Sequence, residues 1–345
     1  MADYYVDGAV GDNANAGTSE GAGNAWATID YAVDTAAAGD HIHIKASATY
    51  TETVSMSQAG GTSAQMILEG YTSTPGDGGK ATIDGEGTRA NCLTGGSYSY
   101  YLIKNLIFEN ATSHGAYVAS GDYWVWYNCE FNDNGGDGIE CDDGNVFIYC
   151  SADGNTATGF DTDNFGIFLN CKATNNGGHG FQAYYCTLIN CIGASNASSN
   201  AYMYTSHIPC IAYNCTFDGD SKTSNSGVLN TSNGIIVAAN CIFYDCTDGI
   251  YGGGQNHPWN NWALNCLFNS NTNESSSWDT THTLNKVTGA PAFTDEASGD
   301  YTLGSSSPAR NAGCDNSGGS SPGQDIGAHQ SEDAGGGSTK IVLTG

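Results

Sequence analysis

The sequence predicts an all-β fold, a single-stranded parallel β-helix of about ten coils. Two marks recur in phase along the chain, one ending in Cys and the other usually Gly, and inward-type residues alternate with outward-type residues between them. The composition agrees, because only 13% of the 345 residues are charged while 48 are Gly. Gly, Ser, Thr and Asn must then supply most of the polar surface, and these residue types favour turns over long helices.

The first mark is an aromatic or apolar residue followed by Asn and Cys. Complete or partial copies end at Leu106, Cys129, Cys150, Cys171, Cys191, Cys215, Cys241 and Cys266. The copies are 20 to 26 residues apart, a spacing that accommodates three short strands and their turns. Because successive coils of a parallel β-helix pair about 4.8 Å apart, equivalent residues stack, and the cysteines are predicted to form a ladder at a bend.

The second mark falls nine residues after the first in four consecutive coils. It is Gly115, Gly138, Gly159 and Gly180. A short strand follows each of these glycines. Since side chains alternate along a strand, Ile139, Phe160 and Phe181 are predicted to point inward and the residues between them outward.

The number and spacing of the cysteines indicate a structural role for them. Thirteen is an odd number, so they cannot all pair within one chain. The chain is also too long for a small disulfide scaffold. We expect most of the thiols to be free and buried, as in a protein made in a reducing cytosol. Their spacing lacks the tight pairs of zinc knuckles, so no metal site is predicted.

The charge balance excludes several partners. Nine Lys and Arg residues face 36 Asp and Glu residues, which gives a formal charge of −27. Nucleic acids and anionic membranes both attract basic clusters, so neither is an expected partner. No apolar run approaches the roughly 18 residues of a membrane span, so no membrane insertion is expected. The first residues have neither a basic region nor an apolar stretch, so the sequence predicts no signal peptide.

Motifs near both ends of the chain carry a family resemblance. The motifs are Tyr4-Tyr5-Val6-Asp7-Gly8, Trp26-Ala27-Thr28-Ile29, Ala38-Gly39-Asp40-His41-Ile42-His43-Ile44, Gly299-Asp300-Tyr301-Thr302-Leu303 and Asp325-Ile326-Gly327-Ala328. They resemble the first and last segments of right-handed parallel β-helix proteins of the pectin-lyase-like superfamily, including bacterial and phage members. The resemblance implies a right-handed helix and a short capping helix around Ile29 to Ala38. The superfamily includes lyases, hydrolases, tailspikes and structural proteins, so the match does not define a function.

These observations divide the chain into four segments. Residues 1–40 form an N-terminal cap, 41–290 the β-helix coils, 291–330 a C-terminal closing segment, and 331–345 a Gly-rich linker with a terminal strand. The last segment contains Gly335-Gly336-Gly337-Ser338, which is typical of a flexible linker. Residues 339–345 are β-prone and could pair with the sheet edge of a partner such as a capsid or tail protein, or pack on the end of the β-helix.

The outer face of the Gly-marked strands is the predicted site, because in the superfamily it often lines the carbohydrate groove. The predicted catalytic residues are Glu140, Asp142, Asp161 and Asp163, on two adjacent coils. The predicted substrate-binding residues are Tyr117, Gln182, Tyr184, Tyr202, Tyr204 and Tyr251. Close carboxylates raise one another's pKa and can serve as acid and base, and tyrosines offer faces for sugar rings. A solvated acidic patch or a calcium site is the alternative.

A second motif gives a more specific comparison. Gly178-His179-Gly180 resembles the Gly-His-Gly of polygalacturonases. The coil before it has Ala157-Thr158 where that family has an Asp pair, and no Arg-x-Lys follows. A pectate-lyase type of β-elimination needs a basic residue, and the Gly-marked strands carry no Lys or Arg.

Two classes of function remain open, with an adhesin as a third. The favoured prediction is a non-enzymatic structural protein of a phage virion, such as a capsid decoration, fibre or spike. Such a protein would be a homotrimer by resemblance, would bind cell-surface or other polysaccharide, and would reach the virion surface after cytoplasmic synthesis. The alternatives are a polysaccharide-degrading enzyme, a glycoside hydrolase more than a lyase, and a secreted extracellular adhesin. No cofactor is expected, although the carboxylates suit calcium.

Overall fold

The chain winds into three long parallel sheets in a computed structural model. The structure describes residues 1–58, 60–62, 64–205, 208–220, 225–231, 234–252, 261–276, 282–313 and 325–328. From Met66 to Asn269 each coil contributes one strand to each of the three sheets, and strands within a sheet pair with the equivalent strands of the neighbouring coils. The predicted parallel β-helix of about ten coils is therefore confirmed.

The three sheets are named A, B and C. Sheet A contains Asp3–Asp7, His41–Lys45, Met66–Tyr71, Tyr101–Lys104, Val125–Tyr127, Val146–Ile148, Ile167–Leu169, Thr187–Ile189, Cys210–Tyr213, Ile236–Ala239, Trp262–Leu264 and His282–Leu284. Sheet B contains Ala81–Asp84, Leu106–Glu109, Glu130–Asn132, Ser151–Asp153, Lys172–Thr174, Ile192–Ala194, Thr216–Asp218, Ile242–Tyr244 and Leu267–Asn269. Sheet C contains Val54–Ser55, Asn91–Thr94, His114–Val118, Ile139–Cys141, Phe160–Asn164, Phe181–Tyr184, Ser199–Tyr204, Ser226–Asn230, Asp248–Gly252 and Asn273–Ser276.

The core runs along the inside of the coils. Aromatic side chains of successive sheet A strands stack there, with Trp126 and Phe147 at 6.3 Å and Phe147 and Phe168 at 5.0 Å between ring centroids. Phe108 and Phe131 stack in the same way on sheet B, at 5.3 Å. All five side chains are fully buried. Stacking of like on like thus buries the apolar face that no single coil could bury alone.

The Asn-Cys mark forms the bend between sheets A and B. Asn128 has a φ of 53° and Asn170 a φ of 55°, a left-handed conformation that Asn tolerates better than most residues. The amides also pair along the axis, and Asn128 Nδ2 donates to Asn105 Oδ1 at 2.8 Å. The cysteine after each Asn points inward, and the Cys171 thiol donates to the carbonyl of Phe147. Twelve cysteines are free and buried, and Cys314 lies outside the described residues.

The Gly mark begins the strands of sheet C. A Cβ atom on Gly138 would lie 2.6 Å from the carbonyl oxygen of Gly159 and 2.9 Å from Nδ2 of Asn155. Only Gly fits there, because the next coil passes so closely. The neighbouring amide belongs to a buried ladder in which Asn134 donates to Asn155 and Asn155 to Asn176, each at 2.9 Å. This ladder occupies the bend between sheets B and C.

A short helix caps the N-terminal end of the β-helix, and a C-terminal segment packs on the outer side of sheet B, where Tyr301 clusters with Ile192 and Ala194. The helix Ile29–Thr35 is seven residues long and begins at Thr28, whose side chain accepts from the backbone of Tyr31, so the predicted capping helix is present. Near the C-terminus, Phe293–Asp295 and Asp300–Leu303 form an antiparallel pair around the 3-10 turn Glu296–Ser298. None of the described helices has the length and apolar character needed to cross a membrane.

One predicted segment differs from the structure, and another lies outside the residues that the structure describes. The first strand of sheet A, Asp3–Asp7, pairs with His41–Lys45, so the predicted cap contains part of the first coil. The predicted linker and docking strand, residues 331–345, lie outside the described residues.

Candidate functional site

A groove of about 220 Å³ opens on the outer face of sheet C. Its lining consists of Glu140, Asp142, Asp161, Asp163, Gln182, Tyr184, Tyr204, Ala119 and Cys141. The structure therefore brings together all four predicted catalytic carboxylates and three of the predicted substrate-binding residues. Tyr117, Tyr202 and Tyr251 lie outside this lining.

Strand register explains why these side chains meet. Glu140 pairs with Asp161, and Asp161 pairs with Gln182, on three successive coils. Their neighbours Ile139, Phe160 and Phe181 are buried in the core, as the alternation predicted. Paired strands lie about 4.8 Å apart, so two carboxylates are held side by side on the outer face.

The strand Phe160–Asn164 departs from the predicted register at Asp163. Asn164, and not Asp163, pairs with Tyr184, because the register shifts between Thr162 and Asn164. The shift places an extra residue in this strand, as in a β-bulge. Strict alternation therefore gives the wrong partner for Asp163, although its side chain still lines the groove.

Asp161 is the most perturbed acid of the groove. Burial, together with charge repulsion from nearby Asp137, Glu140 and Asp163, raises its pKa to about 7. Gln182 opposes this rise, because its Nε2 donates to both carboxylate oxygens of Asp161 at 2.9 Å. At neutral pH a substantial fraction of Asp161 is therefore protonated and able to donate a proton.

Glu140 has a different environment from Asp161. Burial raises its pKa, and the imidazole of His114 opposes that effect. His114 Nε2 lies 3.5 Å from Glu140 Oε2, and His114 Nδ1 lies 3.3 Å from Asp137 Oδ2. Asp137 is the main cause of the raised pKa of His114. A cationic imidazolium beside Glu140 favours its ionised form.

A third group of acids lies at the edge of the groove. One oxygen each of Asp142, Asp143 and Asp163 falls within 4.8 Å of the others. Burial raises the pKa of Asp163, and repulsion from Asp142 and Asp143 adds to the rise. Oxygen ligands in such a cluster suit calcium, and calcium binding here stays a prediction.

Tyrosines continue the groove along the axis. Tyr184 and Tyr204 stack with centroids 4.3 Å apart and an interplanar angle of 13°. Tyr202 contacts Tyr204 at 4.0 Å. Tyr117 stacks on His114, and Tyr251 lies two coils beyond Tyr202, with Leu229 between them. Tyr184 is 39% exposed and offers an aromatic face to solvent.

One column of residues beside the groove was not predicted as part of the site. His114, Asp137 and His179 each fall eight residues after the first mark, and so they occupy the same position of different coils. Burial lowers the pKa of His179 to about 4, and its Nδ1 lies 2.6 Å from Ser199 Oγ. The spacing was a signal that could have identified His114 and Asp137 as neighbours of the carboxylates.

The fold matches that of known carbohydrate-active proteins. The family model for the right-handed β-helix region matches residues 91–238. A pectate lyase structure is similar over 96% of each chain, with a TM-score of 0.61 and 16% identity. A rhamnogalacturonan lyase is similar over 82% of this chain and 84% of its own, with a TM-score of 0.52 and 14% identity.

An alginate lyase from a Paenibacillus species is similar over 75% of this chain and 95% of its own, with a TM-score of 0.50 and 12% identity. No curated protein matches the sequence closely enough to be called a relative. The resemblance to pectin-lyase-like right-handed β-helix proteins is confirmed. At these identities the likeness concerns the fold.

The prediction that this chain is a structural protein of a phage virion is wrong. The similar structures named above are polysaccharide-degrading enzymes, and nothing in the comparisons supports a virion component. The motifs that suggested phage members belong to the winding of the β-helix itself, since Tyr4 and Val6 pair with Ile42 and Ile44 in its first coil. They are determined by the fold and carry no information on function.

Proposed function

We propose that the chain is a polysaccharide-cleaving enzyme, a glycoside hydrolase that acts in the groove on sheet C. The observation that carries the proposal is Asp161, a half-buried acid whose pKa is raised to about 7, paired in register with Glu140. A general acid must hold its proton near the working pH, and Asp161 meets that requirement.

Asp161 and Glu140 supply the two roles that sugar hydrolysis needs. Asp161 protonates the leaving glycosidic oxygen, and ionised Glu140 acts on the anomeric carbon or on the attacking water. His114 supports this division of roles, because its positive charge favours the carboxylate form of Glu140. The strands pair about 4.8 Å apart, which is nearer to the short carboxyl separation of retaining enzymes, so we expect retention of anomeric configuration.

The stacked tyrosines supply the binding surface. Sugar rings present apolar C–H faces that pack on aromatic rings. Tyr184 lies one coil and Tyr204 two coils beyond Asp161 along the axis, and both line the same groove. A chain of sugar rings lying along the axis would contact these rings while one linkage faces Asp161.

Charge favours a neutral polysaccharide. Among the residues that line the described groove, four are acidic and none is Lys or Arg. Lys104, Lys80 and Lys286 contact Glu69, Glu130 and Glu274, away from the groove. An anionic groove repels polyuronates, and the β-elimination of a uronate has no basic side chain in this lining.

The test is the release of reducing ends from a panel of neutral polysaccharides. We expect D161N to reduce kcat by about 100- to 10,000-fold, the usual effect of losing a general acid. E109Q is the matched control, because Glu109 is an outward carboxylate at the end of a sheet B strand. Its activity should equal that of the unmodified chain.

Two outcomes would contradict the proposal. One is full activity in D161N, which would remove Asp161 from the reaction. The other is a product with the ultraviolet absorbance of an unsaturated sugar, which would indicate elimination instead of hydrolysis.

A further inference from the structure

A second cluster of functional side chains lies on sheet A, in the first coils and on a different sheet from the groove. In the strand His41–Lys45, Ile42 and Ile44 are buried in the core, so the alternation turns both histidines to the opposite face. Asp3 pairs with His41 on the preceding strand, and Glu69 pairs with His43 on the following strand. Two imidazoles and two carboxylates therefore share one face.

Three donor atoms of this cluster converge on one point. Asp3 Oδ1 lies 3.3 Å from His43 Nε2 and 3.9 Å from His41 Nδ1. Ligand atoms of the three residues all fall within 4.8 Å of one another. A tetrahedral metal with ligands about 2.0–2.2 Å away separates its donors by roughly 3.3 Å. The two distances from Asp3 are within about 0.6 Å of this separation.

Glu69 faces the remaining nitrogen of each ring. Its Oε2 lies 3.0 Å from His41 Nε2 and 4.0 Å from His43 Nδ1, and its other oxygen accepts from Lys104 Nζ at 2.6 Å. The Glu69 side chain is only 5% exposed. Carboxylates behind metal-bound histidines orient the rings in this way and increase their basicity.

The surroundings of His43 also indicate a ligand. Its side chain is 8% exposed, and its Nδ1 has no hydrogen-bond partner among the described residues. A buried polar atom without a partner is destabilising. Binding a cation at Nε2 would fix the tautomer with a proton on Nδ1, directed towards Glu69.

We propose that Asp3, His41 and His43 bind one divalent transition-metal ion, with Glu69 as the carboxylate that orients both histidines. Imidazole nitrogens suit zinc and its neighbours, whereas calcium prefers oxygen ligands. Asp3 is 60% exposed and His41 17%, so the ion can enter from solvent and keep a fourth position for water.

The experiment is a zinc titration of the full chain without an affinity tag, after removal of metal, followed by calorimetry. We expect one zinc ion per chain. H43Q and D3N should each weaken binding at least tenfold, and E69Q by about 10- to 100-fold. The unmodified chain with cobalt should show the visible absorption of a tetrahedral ion, and excess calcium should not displace zinc.

H114Q is the matched control, because it removes the histidine of the other His-carboxylate cluster, beside the groove. It should bind zinc as tightly as the unmodified chain. Asp3 is exposed, so D3N keeps the test valid if H43Q fails to fold. The proposal is overturned if the unmodified chain binds no zinc, if D3N and H43Q bind it normally, or if H114Q abolishes binding.

Discussion

The buried bend between sheets B and C and the outer face of sheet C use the same stacking with opposite consequences. In the bend, Asn155 lies between Asn134 and Asn176, and each amide donates to the next at 2.9 Å. Outside, Glu140 and Asp161 stack in the same register, and each is a charge that repels the other. Amides carry both a donor and an acceptor, so a ladder of them satisfies itself. Ionised carboxylates are acceptors only, so their ladder is unfavourable and marks a site.

The largest effect on stability is expected from breaking the inner ladder. Asn155 is 1% exposed, and N155A would leave the side-chain amides of Asn134 and Asn176 each without one partner. Buried polar groups left unsatisfied each cost about 1–3 kcal/mol, so we expect a loss of about 3 kcal/mol. Urea unfolding monitored by circular dichroism measures it.

N132A is the control for this variant. Asn132 lies on the outer side of sheet B, where its amide donates to Glu130 Oε2 at 3.2 Å. Because the site is partly exposed, N132A should change the free energy of unfolding by less than about 0.5 kcal/mol. Equal losses in the two variants would mean that the buried ladder has no special role.

On the outer face of sheet C, removing a member of the stack should increase the free energy of unfolding instead of decreasing it. The pKa of Asp161 is raised from 3.8 to about 7 in the folded chain. As pH rises between these values, the unfolded chain releases this proton and the folded chain retains it, so stability falls across this window. D161N lacks the titration and should be more stable than the unmodified chain at about pH 8, by about 1–2 kcal/mol.

The pH dependence is the decisive part of this prediction. Near pH 4 the difference between D161N and the unmodified chain should be largely lost, because the folded-state penalty on Asp161 has not yet developed. Parallel urea titrations at the two pH values measure it. A difference that is the same at both pH values would show that Asp161 titrates normally and is no general acid.

The sequence contained enough information to predict the regular part of each coil. Inward residues such as Phe147 and Phe168 repeat at the coil spacing, and stacking requires that repeat. The buried amide ladder was missed, although Asn155 and Asn176 each fall five residues after a cysteine, because Asn is also a common turn residue. The register shift at Asp163 was missed because alternation assumes that no strand has an extra residue.

The site was harder to predict than the coils for a physical reason. Its members come from different columns, because His114 and Asp137 share one column and His114 Nε2 reaches across to Glu140 Oε2 at 3.5 Å. Column spacing predicts which residues stack, but not how far a side chain reaches across columns. The proposed metal site on sheet A has the same property, since Asp3 and His43 are 40 residues apart in the sequence.

The smallest effect distinguishes binding from chemistry within the outer face. Tyr184 is 39% exposed and stacks on Tyr204, so Y184L removes an aromatic face without opening the core. Aromatic contacts of this type are worth about 1 kcal/mol, so KM for a cleaved polysaccharide should rise about fivefold while kcat changes little. Y127L is the matched control, because Tyr127 is 38% exposed on sheet A. A fall in kcat with unchanged KM in Y184L would place Tyr184 among the groups that act in the transition state. It would then be wrong to divide the groove into carboxylates that react and tyrosines that only bind.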